Sequence, residues 1–385
     1  MTTSTADMSP ALRSLPLLGR KVALTLASGH IFFWGTLWLI VLLVAGTIAQ
    51  ADIGLYEAQH QYFSAWVTFF GPIPTPGGGP TMALLVVNLT ASLIFKSHWR
   101  WNRLGVIIAH IGSLLLFIGG FITAATATEG SLMIPEGERS ATVRDYHAIE
   151  LAVIETTNPT YDDVTAFGGG LLEAGATLSN PAFPFQMRLE AYSRNATAAK
   201  RKAPSADGKA FAAEYELQPL AQELEHERNR AGLTLRLTGA GPEDGQYLFL
   251  QDMNVPQALR VGDRTFQIEL RGRQYELPFT IELLDFQKKV HPGTGMAKAF
   301  SSSVNLIDGG VTRPVLIQMN EPLRHQGFTL YQSSYIQGRG PETTVLAVVA
   351  NEGRLFPYIS SIVICIGLLI HLVLQIPRLI GRRDA

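Results

Sequence analysis

Of the nine histidines in this 385-residue chain, two, His110 and His371, lie inside long apolar runs. An ionisable ring in such a run is costly and marks a functional site by default. A neutral imidazole can ligate metal through one nitrogen, and haem iron is commonly held this way. The same ring can instead hydrogen-bond a neighbouring helix or pass a proton. His110 follows Arg103 by seven residues and His371 precedes Arg378 by seven. If both runs are helices whose arginines mark one water boundary, each ring lies about 10 Å inside it at 1.5 Å per residue. The two rings are then expected at one height. Gly105, Gly112 and Ser113 flank His110, and Gly367 stands one turn before His371. Small residues admit the edge of a flat macrocycle, and they equally admit close helix contact with no cofactor. Haem ligation, a structural hydrogen bond and proton transfer all stay open on these residues alone.

Other chemistry is thin. His30 and His98 read as interfacial, and His60, His147, His226, His291 and His325 have no metal-ligand spacing. There is no nucleophile elbow, phosphate loop or dinucleotide fingerprint. His325 and Tyr331 lack a nucleophile–base pairing, so catalysis by the polar region alone is not expected. The single cysteine, Cys365, lies in an apolar run and leaves the polar region without disulfide or CxxC chemistry. A net charge of -1 with no Lys/Arg-rich run argues against nucleic acid as a partner.

The elements that must hold these rings are membrane helices. Hydrophobic residues make up 47% and charged residues 16% of the chain, and the two are segregated. A spanning helix needs about 20 mainly apolar residues. Four stretches are read as spans, at 29–50, 80–95, 104–125 and 355–376, the second being short and containing Asn88. Basic clusters at Arg13, Arg20 and Lys21, at Lys96, Arg100 and Arg103, and at Arg378, Arg382 and Arg383 fall on one side only with four spans. Residues 1–28, 96–103 and 377–385 are then cytoplasmic, while 51–79 and 126–354 are extracytoplasmic, in an inner (cell) membrane. The first apolar run exceeds a signal-peptide core, so it is expected to remain as an anchor. Gly71–Pro80, GPIPTPGGGP, behind interfacial Trp66, Phe69 and Phe70, reads as a surface loop, the alternative being a mobile segment at the membrane face.

Between Ser131 and Glu352 the pattern turns to short alternating runs, including 233–240, 246–253, 265–272, 279–286, 302–307, 314–320, 328–336 and 343–350. Gly262-Asp263 and Asp308-Gly309-Gly310 read as turns. The fold class expected is therefore a membrane α-helical part of four transmembrane helices plus an all-β extracytoplasmic domain, a sandwich or open barrel. Asn195–Arg230, rich in Ala, Lys, Arg and Glu, reads as a helix or a mobile insertion. Along 328–336, Thr329, Tyr331, Ser333 and Tyr335 should share one strand face and Leu330, Gln332, Ser334 and Ile336 the other.

Several of these stretches resemble the ResB family of cytochrome c biogenesis, also called system II. They are LWLIVLLVAGTIAQ ending at Gln50, with Tyr56 and Tyr62 after it; LGVIIAHIGSLLLFIGG around His110; IQMNEPLRHQGFTLYQSSY at Ile317–Tyr335; and TTVLAVVANEGRLFPYISSIVICIGLLIHL running into the last span. The stretch from Tyr161 to Arg230 carries little of the likeness. Ala49 stands where the family usually has Pro. The resemblance implies a subunit that handles or exports haem b, transiently bound and transported, with His110 and His371 as axial iron ligands. It implies a partner of the CcsA/ResC type and apocytochrome c as the recipient of haem, with a thioredoxin-like thiol reductant as a further partner. Synthetase (haem lyase-like) activity would belong to the complex rather than to this chain. Asn320, Pro322, Tyr331, Gln332, Ser333 and Tyr335 are the residues expected to dock the partner or substrate, the alternative being a hydrogen-bonded structural strand beside the membrane. The rival readings are a haem-bearing electron-transfer membrane subunit and a membrane chaperone or insertase without cofactor.

Overall fold

The computed structural model of the protein describes residues 14–96, 100–253, 257–293, 297–337 and 341–380, with backbone only at 297 and 377–380. Arg13, His98, Arg382, Arg383 and the side chain of Arg378 lie outside the described residues. The chain divides into two units, Met1–Ala127 with Asn351–Ala385, and Thr128–Ala350.

The first unit is mainly helical. Among the described residues, four helical stretches are long and apolar enough to cross a membrane. Helix α1 (Leu17–Leu26) is followed at Gly29 by α2, Gly29–Ala58. The hydroxyl of Ser28 accepts the backbone N–H of His30 at 3.3 Å, which caps the start of α2. Inside α2 the backbone breaks at Gly54, φ 79°, a left-handed angle that suits a residue without Cβ. A wider helical turn follows at Gln59–Ser64, then strands β1 (Val67–Phe70) and β2 (Ile73–Pro76) form a hairpin. The expected loop at 51–79 is therefore largely ordered secondary structure. Helix α3 (Gly78–Ala91) continues through a wide turn to Lys96, a helical run of 19 residues, longer than expected. It runs back along α2: a Cβ on Gly35 would lie 2.8 Å from Leu85 Cδ2, and Asn88 Nδ2 donates to the carbonyls of Leu26 (2.5 Å) and Ser28 (2.9 Å). Asn88 is thus a satisfied buried polar group that ties α3 to the gap between α1 and α2. Helices α4 (Leu104–Thr126) and α5 (Phe356–Ile380) complete the unit. Pro357 stands in the first turn of α5, where no intrahelical N–H bond is lost.

The second unit is nearly all β. Its strands are β3 (Thr128–Pro135), β4 (Arg139–Glu155), β5 (Asp163–Gly168), β6 (Thr177–Leu178), β7 (Gln186–Ser193), β8 (Ala196–Lys200), β9 (Tyr215–Pro219), β10 (Gly232–Thr238), β11 (Gly245–Leu250), β12 (Gln257–Val261), β13 (Arg264–Val290), β14 (Ala297–Asp308), β15 (Val311–Gln318), β16 (Leu323–His325), β17 (Phe328–Ile336) and β18 (Thr343–Ala350). A ten-stranded sheet has the order β15-β14-β13-β4-β3-β18-β17-β16, with β12 on β13 and β5 on β4; a four-stranded sheet has the order β11-β10-β7-β6. Two cores result. In one, Met187, Leu233 and Leu235 of the small sheet pack with Leu151, Phe266 and Ile268 of the large one. In the other, the large sheet rolls on itself, so that Ile281, Val304 and Ile317 meet Leu132, Leu330 and Leu346.

The strands expected at 265–272 and 279–286 are a single 27-residue strand, β13, which serves both cores. Pro278 between them falls where the ladder with β4 loses register, between Glu276 and Ile281, so no ladder bond is forfeited. Asn195–Arg230 is neither helix nor free insertion. It contains the hairpin β8–β9, paired from Ala196↔Pro219 to Lys200↔Tyr215, with one helical turn at Phe211–Glu214. A few small side chains suffice there because the hairpin leans on the sheet core: Ala196 and Ala212 are buried. His226, in the turn that follows, meets His147 of β4 at 3.1 Å between Nδ1 atoms.

Candidate functional site

Helices α4 and α5 are antiparallel along a glycine seam. A Cβ on Gly105 would run into the backbone nitrogen of His371 and lie 2.5 Å from the carbonyl oxygen of Gly367. One on Gly112 would lie 2.7 Å from Ile364 Cγ1 and 3.1 Å from the carbonyl of Ser360, and one on Gly119 would strike Phe356. Reciprocally, a Cβ on Gly367 would lie 2.5 Å from the nitrogen of Ala109. Glycines at 105, 112 and 119 repeat every seven residues, which keeps them on one face of α4. Small residues here serve backbone-to-backbone packing. The slot that sequence offered to a macrocycle between these helices is filled by the helices themselves.

This register corrects the expected height match. Gly105 is level with Gly367–His371 and Gly112 with Ser360–Ile364. His110 therefore stands near the level of Ile364, seven residues from His371, about 10 Å along the pair at 1.5 Å per residue. Equal distances from Arg103 and Arg378 misled because they assume that the two arginines end at the same height. The rings also diverge in direction. His371 belongs to the turn of α5 that meets Gly105, whereas His110 is five residues past Gly105, about 140° round the helix at 3.6 residues per turn. The two imidazoles are not brought together.

Each ring has its own environment. Nδ1 of His110 donates to the carbonyl of Val106 at 2.8 Å, since a carbonyl oxygen can only accept. In the neutral ring the lone pair is then on Nε2, and the ring is held in one orientation, the arrangement usual for a metal-ligating histidine. The half-exposed His110 ring lies on the side of α4 away from α5. These features fit an axial haem ligand offered laterally. His371 Nδ1 is buried without a hydrogen-bond partner in the described structure, and its backbone is closed off by Gly105. No space for a macrocycle remains on that contact.

The outer motif is equally resolved. Gln326 (φ 44°) and Gly327 (φ 85°) form the two-residue loop between β16 and β17, closed by the pair His325↔Phe328. Two successive positive φ angles are the signature of a type I′ hairpin. Gly309 (φ 54°) and Gly310 (φ 82°) do the same for Asp308↔Val311 at the end of β14. Asp308 joins the two loops: its Oδ2 accepts from His325 Nε2 at 2.8 Å and from Gln326 Nε2 at 2.7 Å. Those two donors hold the Asp308 carboxyl below its ordinary value. Sequence reasoning saw Asp308 only as a turn residue; nothing in its own neighbourhood announces a partner seventeen residues on.

The expected docking residues separate by face. Asn320, Tyr331 and Ser333 are exposed, and Pro322 is half-buried. Gln332 is buried: its Oε1 accepts from Ser302 Oγ at 2.6 Å, and its Nε2 donates to Thr344 Oγ1 at 3.1 Å. Tyr335 also turns inward, its ring 5.3 Å from Phe286 and 5.2 Å from Phe300, with its hydroxyl receiving Lys288 Nζ at 2.7 Å. The strict alternation expected along 328–336 fails because the ladder to β18 shifts register between Gln332 and Ser334, and an extra residue there flips every side chain beyond it.

Comparison with known proteins agrees with this architecture. A family model described as the ResB-like family matches residues 237–354, the second half of the β unit and the entry to α5. Protein NrfI of Wolinella succinogenes is 23% identical over 301 residues, which cover 76% of this chain and 30% of that protein. The chain thus spans less than a third of the length of the curated relative it matches. The chain is thus similar to the ResB-like family over residues 237–354, which include the outer motif.

Proposed function

We propose that this chain is a membrane-embedded subunit for cytochrome c maturation that handles haem b as cargo and supports its delivery to apocytochrome c outside the membrane. The match of residues 237–354 to the ResB-like family model supports the process. The observation that carries the haem step is His110, a ring locked by Val106 with Nε2 as its ligand atom, on the side of α4 turned away from α5. A ligand presented sideways suits iron shared with a second chain. We assign the opposite axial ligand to a partner of the CcsA/ResC type rather than to His371. His371, whose backbone is packed against Gly105, is assigned a structural or proton-linked part.

In this reading α2 to α5 lie in the inner membrane with both termini cytoplasmic, and the β unit is extracytoplasmic. Asn320, Tyr331 and Ser333 supply its exposed docking face. Haem attachment adds a cysteine thiol across each vinyl group, sulfur to one carbon and hydrogen to the other, so the thiols must arrive reduced. A thioredoxin-like reductant supplies that condition, and attachment is a property of the complex.

The test is the absorption spectrum of the complex purified with its partner. His110→Ala should lose the haem band, and added imidazole should restore it. His371→Ala should keep most of it. An unchanged band in His110→Ala refutes the assignment. A deletion strain that keeps c-type cytochromes refutes the process.

A further inference from the structure

Sequence places the stretch between α2 and α3 outside the membrane, and its geometry points elsewhere. Asp52 and Glu57 bracket the break at Gly54, whereas Gln61–Phe95 contains no Asp, Glu, Lys, Arg or His. After the break the chain does not leave α2 but descends along it. A Cβ on Gly46 would lie 2.6 Å from Phe63 Cζ. Further down, the indole N–H of Trp38 donates to the carbonyl of Pro76 at 2.9 Å, and its ring lies 5.8 Å from Phe70. From Gly54 to Trp38 is sixteen residues of helix, about 24 Å at 1.5 Å per residue. That is most of the roughly 30 Å hydrocarbon thickness.

The hairpin is made for a medium without water. Its buried face carries Thr68, whose carbonyl accepts from Thr75 Oγ1 at 3.1 Å. The opposite face shows Val67 and Phe69, both exposed, and Trp66 and Ile73 at the strand ends are exposed as well. In the ladder, Phe70↔Ile73 closes a two-residue loop and Thr68↔Thr75 is the next bonded pair. The backbone nitrogens that face outward on β2 are then those of residues 74 and 76. Both are prolines and have no N–H to leave unpaired. Only the β1 edge keeps outward donors. Gly77 N and Gly79 N return to the carbonyls of Trp66 and Ala65 at 3.2 and 3.3 Å. Non-helical backbone at membrane depth is tolerated where it is packed against protein, and the hairpin is packed against α2 through Pro76 and Phe70.

We propose that Leu55–Gly79 is a re-entrant segment: it turns back at Gly54 and seats the β1–β2 hairpin beside α2 between the levels of Gly46 and Trp38, with Val67 and Phe69 facing lipid acyl chains. This rests on the reading of α2 as a membrane span. The full chain, with Cys365→Ser and a single new cysteine at Val67 or Phe69, is labelled with an environment-sensitive fluorophore and reconstituted in phosphatidylcholine vesicles. Leu43→Cys on α2 and Glu225→Cys in the β unit serve as controls. Quenching of the Val67 and Phe69 labels by chain-nitroxide phosphatidylcholine, and not by aqueous iodide, is the expected result. Iodide quenching at Val67 and Phe69 with lipid quenching at Leu43 overturns the re-entrant segment and leaves the span intact. Iodide quenching at Leu43 as well overturns the membrane reading itself.

Discussion

Gln332 provides a quantitative test of whether the outer motif acts through the fold or through its surface. Its amide sits between Ser302 of β14 and Thr344 of β18, strands that do not pair with each other; Ser302 Oγ and Thr344 Oγ1 are themselves 2.8 Å apart. Ser302 and Thr344 are fully buried. Replacing Gln332 by Ala deletes the bonds to both hydroxyls, at about 1 kcal/mol net each. The two hydroxyls keep their mutual bond but have two hydrogens between them, so one is stranded, at about 1–3 kcal/mol. The total is about 3–5 kcal/mol before any term for the void. At roughly 2–4 °C per kcal/mol for a unit of this size, the midpoint of thermal unfolding should fall by about 6–20 °C. Gln332→Met refills the space but loses the same two bonds, so it should be spared only the further cost of the void that Gln332→Ala leaves. Tyr331→Ala, on the exposed face, should leave the midpoint nearly unchanged. The measurement is thermal unfolding of the full chain in detergent, followed by near-ultraviolet circular dichroism. A midpoint for Gln332→Ala within about 2 °C of the parent would refute the core assignment, since that corresponds to less than about 1 kcal/mol.

Three further outcomes are expected. Asp308 has its carboxyl lowered in the folded state, so its contribution is complete above the ordinary carboxylate range and is lost as pH falls through the lowered value; Asp308→Asn should therefore differ from the parent at neutral pH and converge with it in acid, read from unfolding midpoints across pH. Gly112→Val pushes Cβ against Ile364 and should part α4 from α5 at a cost of about 1–3 kcal/mol, seen as earlier aggregation on heating in detergent, while Gly120→Val, with open space around it, should behave as the parent. Gly327→Val forces a β-branched residue into a φ of 85° and should destabilise the β16–β17 hairpin by about 1–3 kcal/mol, measured as faster proteolysis near Gln326, whereas Gly327→Asn should be mild.

How much the sequence disclosed depended on whether a signal was local. The glycines after Asp308, the alternation through β14 and β18 and the presence of long apolar helices all rest on neighbours in the chain, and each has its counterpart among the described residues. The bulge at Ser333 depends on the partner strand, so the faces of Gln332 and Tyr335 were not legible. The height of His371 against His110 is set by which glycine meets which turn across two helices 250 residues apart, and counting from arginines does not supply that register. The hairpin β1–β2 hid in a run of Gly and Pro that ordinarily spells loop, because its prolines occupy only the outward positions of one strand.

Strand β13 carries a mechanical consequence. Its first half contributes Phe266 and Ile268 to one core and its second half Ile281 and Leu283 to the other, and β4 beside it does likewise with Leu151 and Val143. Neither core can melt without releasing a shared beam that the other still grips. The β unit should then unravel in a single step, and its slowest-exchanging amides should form one continuous band along β4 and β13. A load applied at one end of β13 would be transmitted along it as tension instead of being absorbed at a joint between the two cores.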